Sequence, residues 1–259
     1  MRILVTNDDG FRAPGLVAQA NRLVAAGHEV IVTAPQRQQS GGSAALGRVK
    51  DGAAIAWERF TSDEMPGIAQ GIAIDAPPAL AVKAVLGGMF GPAPDIVMSG
   101  INRGWNTGGS TLHSGTLGAA MTACSLGWRA AAISCARPPE DNLETAAEVA
   151  AAVAEVLGRA TGPVALNVNV PNLAVTRLRG VRQVPVGAQG LLDVDIERVG
   201  DELRFKLVPR RPAPESDCDG QAVLAGYVAV SPLNGRYGQH AAASGSEYGE
   251  AIFDRLQAG

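Results

Sequence analysis

Two carboxylates stand side by side at Asp8 and Asp9, in the stretch Asn7-Asp8-Asp9-Gly10 that follows the apolar run Arg2–Thr6. Adjacent carboxylates repel, and they hold together most easily around a divalent cation. Two further polar loops carry matching donors. One is Pro35-Gln-Arg-Gln-Gln-Ser40-Gly-Gly-Ser43, and the other is Ser99-Gly-Ile-Asn102-Arg-Gly104. Asp8, Asp9, Ser40 and Asn102 together form an all-oxygen donor set without Cys or His. That chemistry suits one hard divalent ion, Mg²⁺ or Mn²⁺. The competing expectation is that Asp8 or Asp9 only caps the helix that follows.

The segment from Asn102 to Met121 is the richest in small polar residues: NRGWNTGGSTLHSGTLGAAM. A loop of Gly, Asn, Ser and Thr leads into a helix starting at Ser114. Exposed N–H groups at such a helix start, with hydroxyls nearby, can bind an anion without lysine. The spacing is not that of a P-loop. The plainer alternative is that Ser114 serves as an N-cap. The histidines His28, His113 and His240 have no partner at metal-ligand spacing. His28 is expected at the surface, and His113 borders the anion loop. No G-x-S-x-G elbow is present.

The elements that must position these residues alternate. Strands are expected at 2–6, 28–35, 94–98, 130–134 and 164–170. Helices are expected at 14–26, 78–86, 114–126 and 142–157. The first βαβ unit and the near-continuous apolar strands imply a sheet covered on both faces. Alternation over about 170 residues predicts an α/β, Rossmann-like, doubly wound and mainly parallel sheet. In such a sheet the loops after strands 2–6, 28–35 and 94–98 converge on one edge, where ligands collect. After residue 176 the texture changes to short runs broken by Gly and Pro, with polar–apolar alternation at 202–208. Hairpins are expected there, then a strand at 227–231 that returns to the core and a helix in the last 15 or so residues. The expected organisation is therefore a binding core over 1–176 and a smaller region over 177–259. The hairpin's apolar face and open edges call for a second subunit, most simply in a dimer.

Composition narrows the classes. The chain has 259 residues, 46% of them hydrophobic, which is enough for a sizeable core. A net charge of −3 leaves no basic surplus for a long nucleic acid. Three cysteines without C-x-x-C spacing argue against a disulfide scaffold or zinc cluster and read as buried thiols. No apolar run reaches the length of a membrane span, and the N-terminus reads as a strand, not a signal peptide. The expectation is a soluble, cytoplasmic protein.

The ordered blocks ILVTNDDG, PQRQQSGGS, SGINRGWNTGG…HSGTLGAAM, LNVNVPN (166–172) and AVLAGYVAVSPL (222–233) resemble the SurE family of nucleotidases. The resemblance spans nearly the whole chain. It implies a Rossmann-like core with a C-terminal segment exchanged between subunits, in a homodimer or homotetramer. It also implies a divalent metal and hydrolysis of nucleoside 5′- and 3′-monophosphates. Matched position by position, it assigns the metal to Asp8, Asp9, Ser40 and Asn102, with Asp8 and Asp9 catalytic. It assigns phosphate binding to Asn106, Gly109, Ser114, Gly115 and Thr116. The chain departs from the family pattern in three places. His113 stands where Tyr is usual, Thr122-Ala123 replace Glu-Gly, and Ala76–Ala81 (APPALA) replaces Gly-Thr-Pro-Ala-Asp-Cys. The last departure keeps a second expectation open, a nucleotide- or phosphate-binding protein with weak or lost turnover.

Overall fold

Short runs of branched residues bounded by Gly and Pro set the strand pattern, and a computed structural model shows how the strands assemble. It describes residues 1–137, 139, 142–211 and 217–234. In chain order the elements are β1 (Arg2–Thr6), α1 (Pro14–Ala25), β2 (Glu29–Pro35), β3 (Trp57–Phe60), β4 (Gln70–Ile74), α2 (Pro78–Leu86) and β5 (Ile96–Arg103). A 3-10 turn at Gly108–His113 precedes α3 (Gly115–Ser125), β6 (Arg129–Cys135), α4 (Leu143–Arg159) and β7 (Val164–Asn169). A second such turn at Val175–Arg177 leads to β8 (Val181–Gln183), β9 (Leu192–Val199), β10 (Glu202–Pro209), α5 (Asp219–Leu224) and β11 (Val228–Leu233).

Among the described residues the main sheet runs β3-β4-β2-β1-β5-β6-β7-β11-β8. The six strands from β4 to β7 are parallel, β3 is antiparallel to β4, and β11 is antiparallel to β7 but parallel to β8. From β1 the chain winds outward to β2, and from β5 it winds the other way to β6. The order therefore reverses between β1 and β5, where a crevice opens beyond the strand ends. Helices α1 and α4 pack with Ile3, Val5, Val30 and Val32 on one face. Helices α2 and α3 pack with Leu4, Ile31, Val97 and Ala132 on the other. The doubly wound α/β expectation holds.

The edge strand β3, its buried neighbour β4 and the short α5 are not anticipated from the sequence. Strand β3 is mostly exposed and lacks an alternating apolar pattern, and α5 has only six residues. Strand β5 runs further than the expected 94–98 and carries Asn102 on its last turn of ladder, past an irregularity between Ser99 and Asn102. His28, expected at the surface, has its side chain covered, with Nε2 3.4 Å from Glu155. Cys124, Cys135 and Cys218 are buried thiols, as their spacing implied. The expected C-terminal helix and His240 lie outside the described residues.

Strands β8 and β11 join the main sheet, whereas β9 and β10 form a separate two-stranded ribbon with Ile196 opposite Phe205 and Val194 opposite Leu207. Cross-strand partners share a face. One face of the ribbon therefore carries Val194, Ile196, Leu203, Phe205 and Leu207, all exposed, while Asp195, Glu197, Arg204 and Lys206 point the other way.

A polar row crosses the main sheet near its carboxyl edge. Thr6 pairs with Ser99, Ser99 with Ala132, Ala132 with Asn167, and Asn167 with Ser231. Thr33 extends the row one step past the paired Val5 and Val32. Its parity matches Leu4, Ile31 and Val97, so the row faces α2 and α3. The oxygens Thr6 Oγ1, Thr33 Oγ1, Ser99 Oγ, Asn167 Oδ1 and Ser231 Oγ are buried without a hydrogen-bond partner among the described residues.

Candidate active site

The loop after β1 is built around Asn7, whose side chain accepts from the Gly10 N–H at 3.2 Å and donates to the Gly10 carbonyl at 3.0 Å. Gly10 has φ of +103°, a conformation that glycine takes without steric cost. This turn projects Asp8 and Asp9 beyond the strand end. The loop after β2 is stitched to it. The Gln39 N–H donates to the Asp8 carbonyl, and the Phe11 N–H donates to the Pro35 carbonyl at 3.0 Å. Helix α1 closes the third side. A Cβ on Gly15 would lie 1.9 Å from the Ile101 carbonyl oxygen, so only glycine lets the helix start meet the end of β5.

Asp8 is buried at 4% exposure, and its Oδ1 accepts from the Thr116 hydroxyl. Burial raises its pKa above the usual value. The Thr116 hydroxyl and the backbone N–H groups of Asp8, Gly115 and Thr116 act against that rise. The first turn of α3 thus presents its positive end to the Asp8 carboxylate itself. A Cβ on Gly115 would sit 2.8 Å from Asp8 Oδ2 and 2.8 Å from its Cβ. Asp9 is pushed up to about 6, mainly by burial and secondly by the charge on Asp8, while Arg103 and Gln38 pull it down. Arg103 is the last residue of β5, so the Asn102 strand end and Asp9 lie within electrostatic reach. The Gln38 amide bridges Asp9 Oδ1 at 3.3 Å and Ser40 Oγ at 3.0 Å. One small donor therefore spans both oxygens. The Asn102 side chain donates its N–H to the Gly104 carbonyl, which leaves its oxygen as the donor atom for a cation.

These observations fit a hard cation. One buried and one half-buried neighbouring carboxylate, both with raised pKa, a hydroxyl that shares one bridging group with Asp9, and an amide oxygen on the adjoining strand make an electron-rich oxygen set. Among the described residues no group of three or more His, Cys, Asp and Glu side chains could hold a metal, so the set depends on Ser40 and Asn102 as well as the two carboxylates.

The anion loop is more tightly committed than its composition suggests. Ser114 Oγ accepts the Leu117 N–H at 3.0 Å and caps α3, the plainer of the two expected roles. Asn106 is buried at 8% exposure, and its N–H donates to Asn169 Oδ1 at 2.9 Å. Its carbonyl accepts from Asn167 and Asn169, each at 2.9 Å, and its side-chain N–H donates to Ser134 Oγ at 2.9 Å. Asp219, fully buried, accepts the N–H groups of Gly108 and Gly187 at 3.0 Å each. The Leu191 N–H donates to Thr107 Oγ1 at 3.0 Å. Gly109 is exposed, and Gly108 lies against Gln189, where a Cβ would come within 2.1 Å. The sequence reading passed over Asn167, Asn169, Ser134 and Asp219. The repeat Asn-Val-Asn inside an otherwise apolar strand was the one signal that could have exposed the first two.

The arrangement defines a class, a Rossmann-like α/β protein with an oxygen-donor site at its topological switch point. The comparisons supply the family. Residues 3–191 match the family described as Survival protein SurE. A 5'-nucleotidase SurE of Synechococcus elongatus is 36% identical over 244 residues, which is 90% of this chain and 93% of the relative. A 5'-nucleotidase SurE of Gloeobacter violaceus is 36% identical over 269 residues that cover both chains fully. The crystal structure of the SurE protein from Aquifex aeolicus superposes with a TM-score of 0.78 at 27% identity, covering 96% of this chain and 100% of that one. The chain belongs to the SurE family.

Proposed function

We propose that this chain is a metal-dependent phosphatase that hydrolyses nucleoside 5′-monophosphates, with 3′-monophosphates as further substrates. The observation that carries the reading is the adjacent pair of buried Asp8 and half-buried Asp9, held at the switch point with Ser40 one bridging amide away from Asp9. The names of the relatives supply the nucleotide. Asp8, Asp9, Ser40 and Asn102 hold one divalent ion, Mg²⁺ or Mn²⁺. When bound, such an ion polarises phosphoryl oxygens and lowers the pKa of a water to make it a nucleophile. Thr116 and the first N–H groups of α3 keep the Asp8 carboxylate aimed and favour its ionised form against the effect of burial. Asp9, the more exposed of the two, accepts a proton from an attacking water or orients it. Asn106, Gly109, Ser114, Gly115 and Thr116 form the phosphate wall. The Ser114 oxygen accepts from Leu117, which leaves its hydroxyl proton to donate to a phosphoryl oxygen. No side-chain nucleophile is required.

Three further features belong to the reading. The exposed apolar face of β9 and β10 supports a homodimer or homotetramer, because a two-stranded ribbon is marginal by itself in water. Three reduced cysteines support a cytoplasmic location. No helix among the described residues is long and apolar enough to cross a membrane. Phosphate release from a nucleoside monophosphate with and without EDTA tests the core of the proposal. Activity is expected to vanish on chelation and to return with Mn²⁺ or Mg²⁺. Full activity in a thoroughly demetallated sample would sink it. The reading of a binding protein without turnover requires metal-dependent nucleotide binding with no phosphate released.

A further inference from the structure

A cleft of about 540 Å³ opens directly from the site, with Asp9 on its wall. Phe11, Arg12, Arg37 and Glu58 also line it. A second hollow of about 210 Å³ shares Phe11, Arg12 and Glu58 with the first and continues along β3. The combined size falls within the roughly 300–1,000 Å³ of small-molecule sites. The cleft lies on the side of Asp9 away from α3, whose first turn faces Asp8. A phosphate ester seated at Asp9 therefore has room for its leaving group along this cleft.

The wall is organised for a flat heterocycle. Phe11 and Phe60 pack with ring centroids 4.9 Å apart, and the Arg12 guanidinium lies 4.9 Å over the Phe11 ring. The two rings are tilted by 44° to each other, and the cation over Phe11 is exposed at Arg12. Planar guanidinium groups stack well on aromatic faces. Alternation along β3 puts Glu58 and Phe60 on one face, while Trp57 on the other packs against Phe90 at 5.0 Å. Glu58 therefore shares the strand face of Phe60 and lines both hollows. An ionised carboxylate only accepts hydrogen bonds, so it selects a base edge that presents donors. Guanine offers an N1–H and a 2-amino group side by side, whereas adenine offers an acceptor at N1.

We propose that this cleft is the nucleoside subsite, with the base laid on the Arg12 guanidinium and its donor edge read by Glu58, so that guanine nucleotides are preferred. The inference rests on the phosphatase reading above, and its test separates the two. kcat and KM are measured for guanosine, adenosine and cytidine 5′-monophosphates and for 4-nitrophenyl phosphate, on the full chain with Mn²⁺. The wild type is expected to favour the guanosine ester. Glu58→Gln should raise KM for that ester about tenfold, the loss of one charged hydrogen-bond pair. It should leave the adenosine ester and 4-nitrophenyl phosphate within about twofold. Arg12→Ala should raise KM for all three nucleotides and spare 4-nitrophenyl phosphate. Unchanged nucleotide KM values in both variants would overturn the subsite, as would an equal loss on the aryl ester. If the wild type turns over no ester, calorimetric titration with guanosine 5′-monophosphate carries the same comparison. Weaker binding to Glu58→Gln then supports the subsite although the phosphatase reading has failed, and equal binding overturns the subsite too.

Discussion

The switch-point loops and the β9–β10 ribbon are opposites in how they use polar and apolar groups. At the switch point, Asp8 is held by Thr116, Asn106 by three side chains, Gly108 by Asp219 and Leu117 by Ser114. Backbone packing there is close enough that single Cβ atoms on Gly15, Gly108, Gly115 or Gly118 would collide with their neighbours. The ribbon has an intact ladder but five exposed apolar side chains on one face, with Phe205 68% exposed. The first region satisfies itself within one chain. The second is complete as a hydrogen-bonded unit and incomplete as a packed one. A site needs internal preorganisation, and a contact surface needs an uncommitted face.

That contrast can be broken from either side, and the largest effect belongs to the carboxylates. Asp9→Asn should lower kcat by roughly 100-fold or more while the protein stays folded, because a charged ligand is removed and volume is kept. Gly115→Ala should cost about as much or somewhat less. The added methyl displaces the Asp8 carboxylate, and misplacing a reacting group by about 1 Å can cost 100-fold. Circular dichroism should show the helical content retained. An active Gly115→Ala enzyme would mean that Asp8 need not be held where it is. Phe205→Asp should instead shift the mass in sedimentation toward 26.5 kDa and leave kcat within about twofold, since the ribbon lies outside the site. A wild type that already sediments as a monomer would remove the need for a covering subunit. Ser114→Ala should lower stability by about 1 kcal/mol through loss of the cap. If turnover falls with it, the hydroxyl also contacts phosphate.

The smallest effect is a pH dependence in the metal-free protein. Asp9 is raised from 3.8 to about 6 in the folded chain. A raised carboxyl pKa means that the folded state binds the proton more tightly than the unfolded state. Its contribution is fully present below pH 3.8 and is lost as pH rises through about 6. The melting temperature of Asp9→Asn minus that of wild type should therefore grow between about pH 4 and 6, measured in EDTA. A flat difference would place Asp9 in a more solvated setting.

How much of this was legible follows the same division. Strand ends with clustered Asp, Asn and Ser are visible in sequence because polar residues interrupt apolar runs at points the topology brings together. The α2 boundaries, Pro78 to Leu86, follow from a proline start and a Gly-Gly stop. The partners that hold the site were hidden. Asp219 lies 111 residues from Gly108, and no local pattern links them. Asn167 and Asn169 sit inside a strand with nothing local to mark their role, yet they carry the Asn106 loop. Strand β3 escaped because an exposed edge such as Trp57-Glu58-Arg59-Phe60 has no buried face to impose alternation.

The polar row through Thr33, Thr6, Ser99, Asn167 and Ser231 marks where this fold has headroom for heat resistance. Buried oxygens without protein partners cost about 1–3 kcal/mol each unless internal water serves them. Thr33 and Ser99 lie in the sheet interior, back from the donor atoms, and Val or Ala in their place would present no polar atom to the α2–α3 side. Thr33→Val combined with Ser99→Ala should raise the melting temperature by several degrees, at about 2–4 °C per kcal/mol for a chain of this size. Lineages growing at higher temperature would have that route open without altering a single ligand.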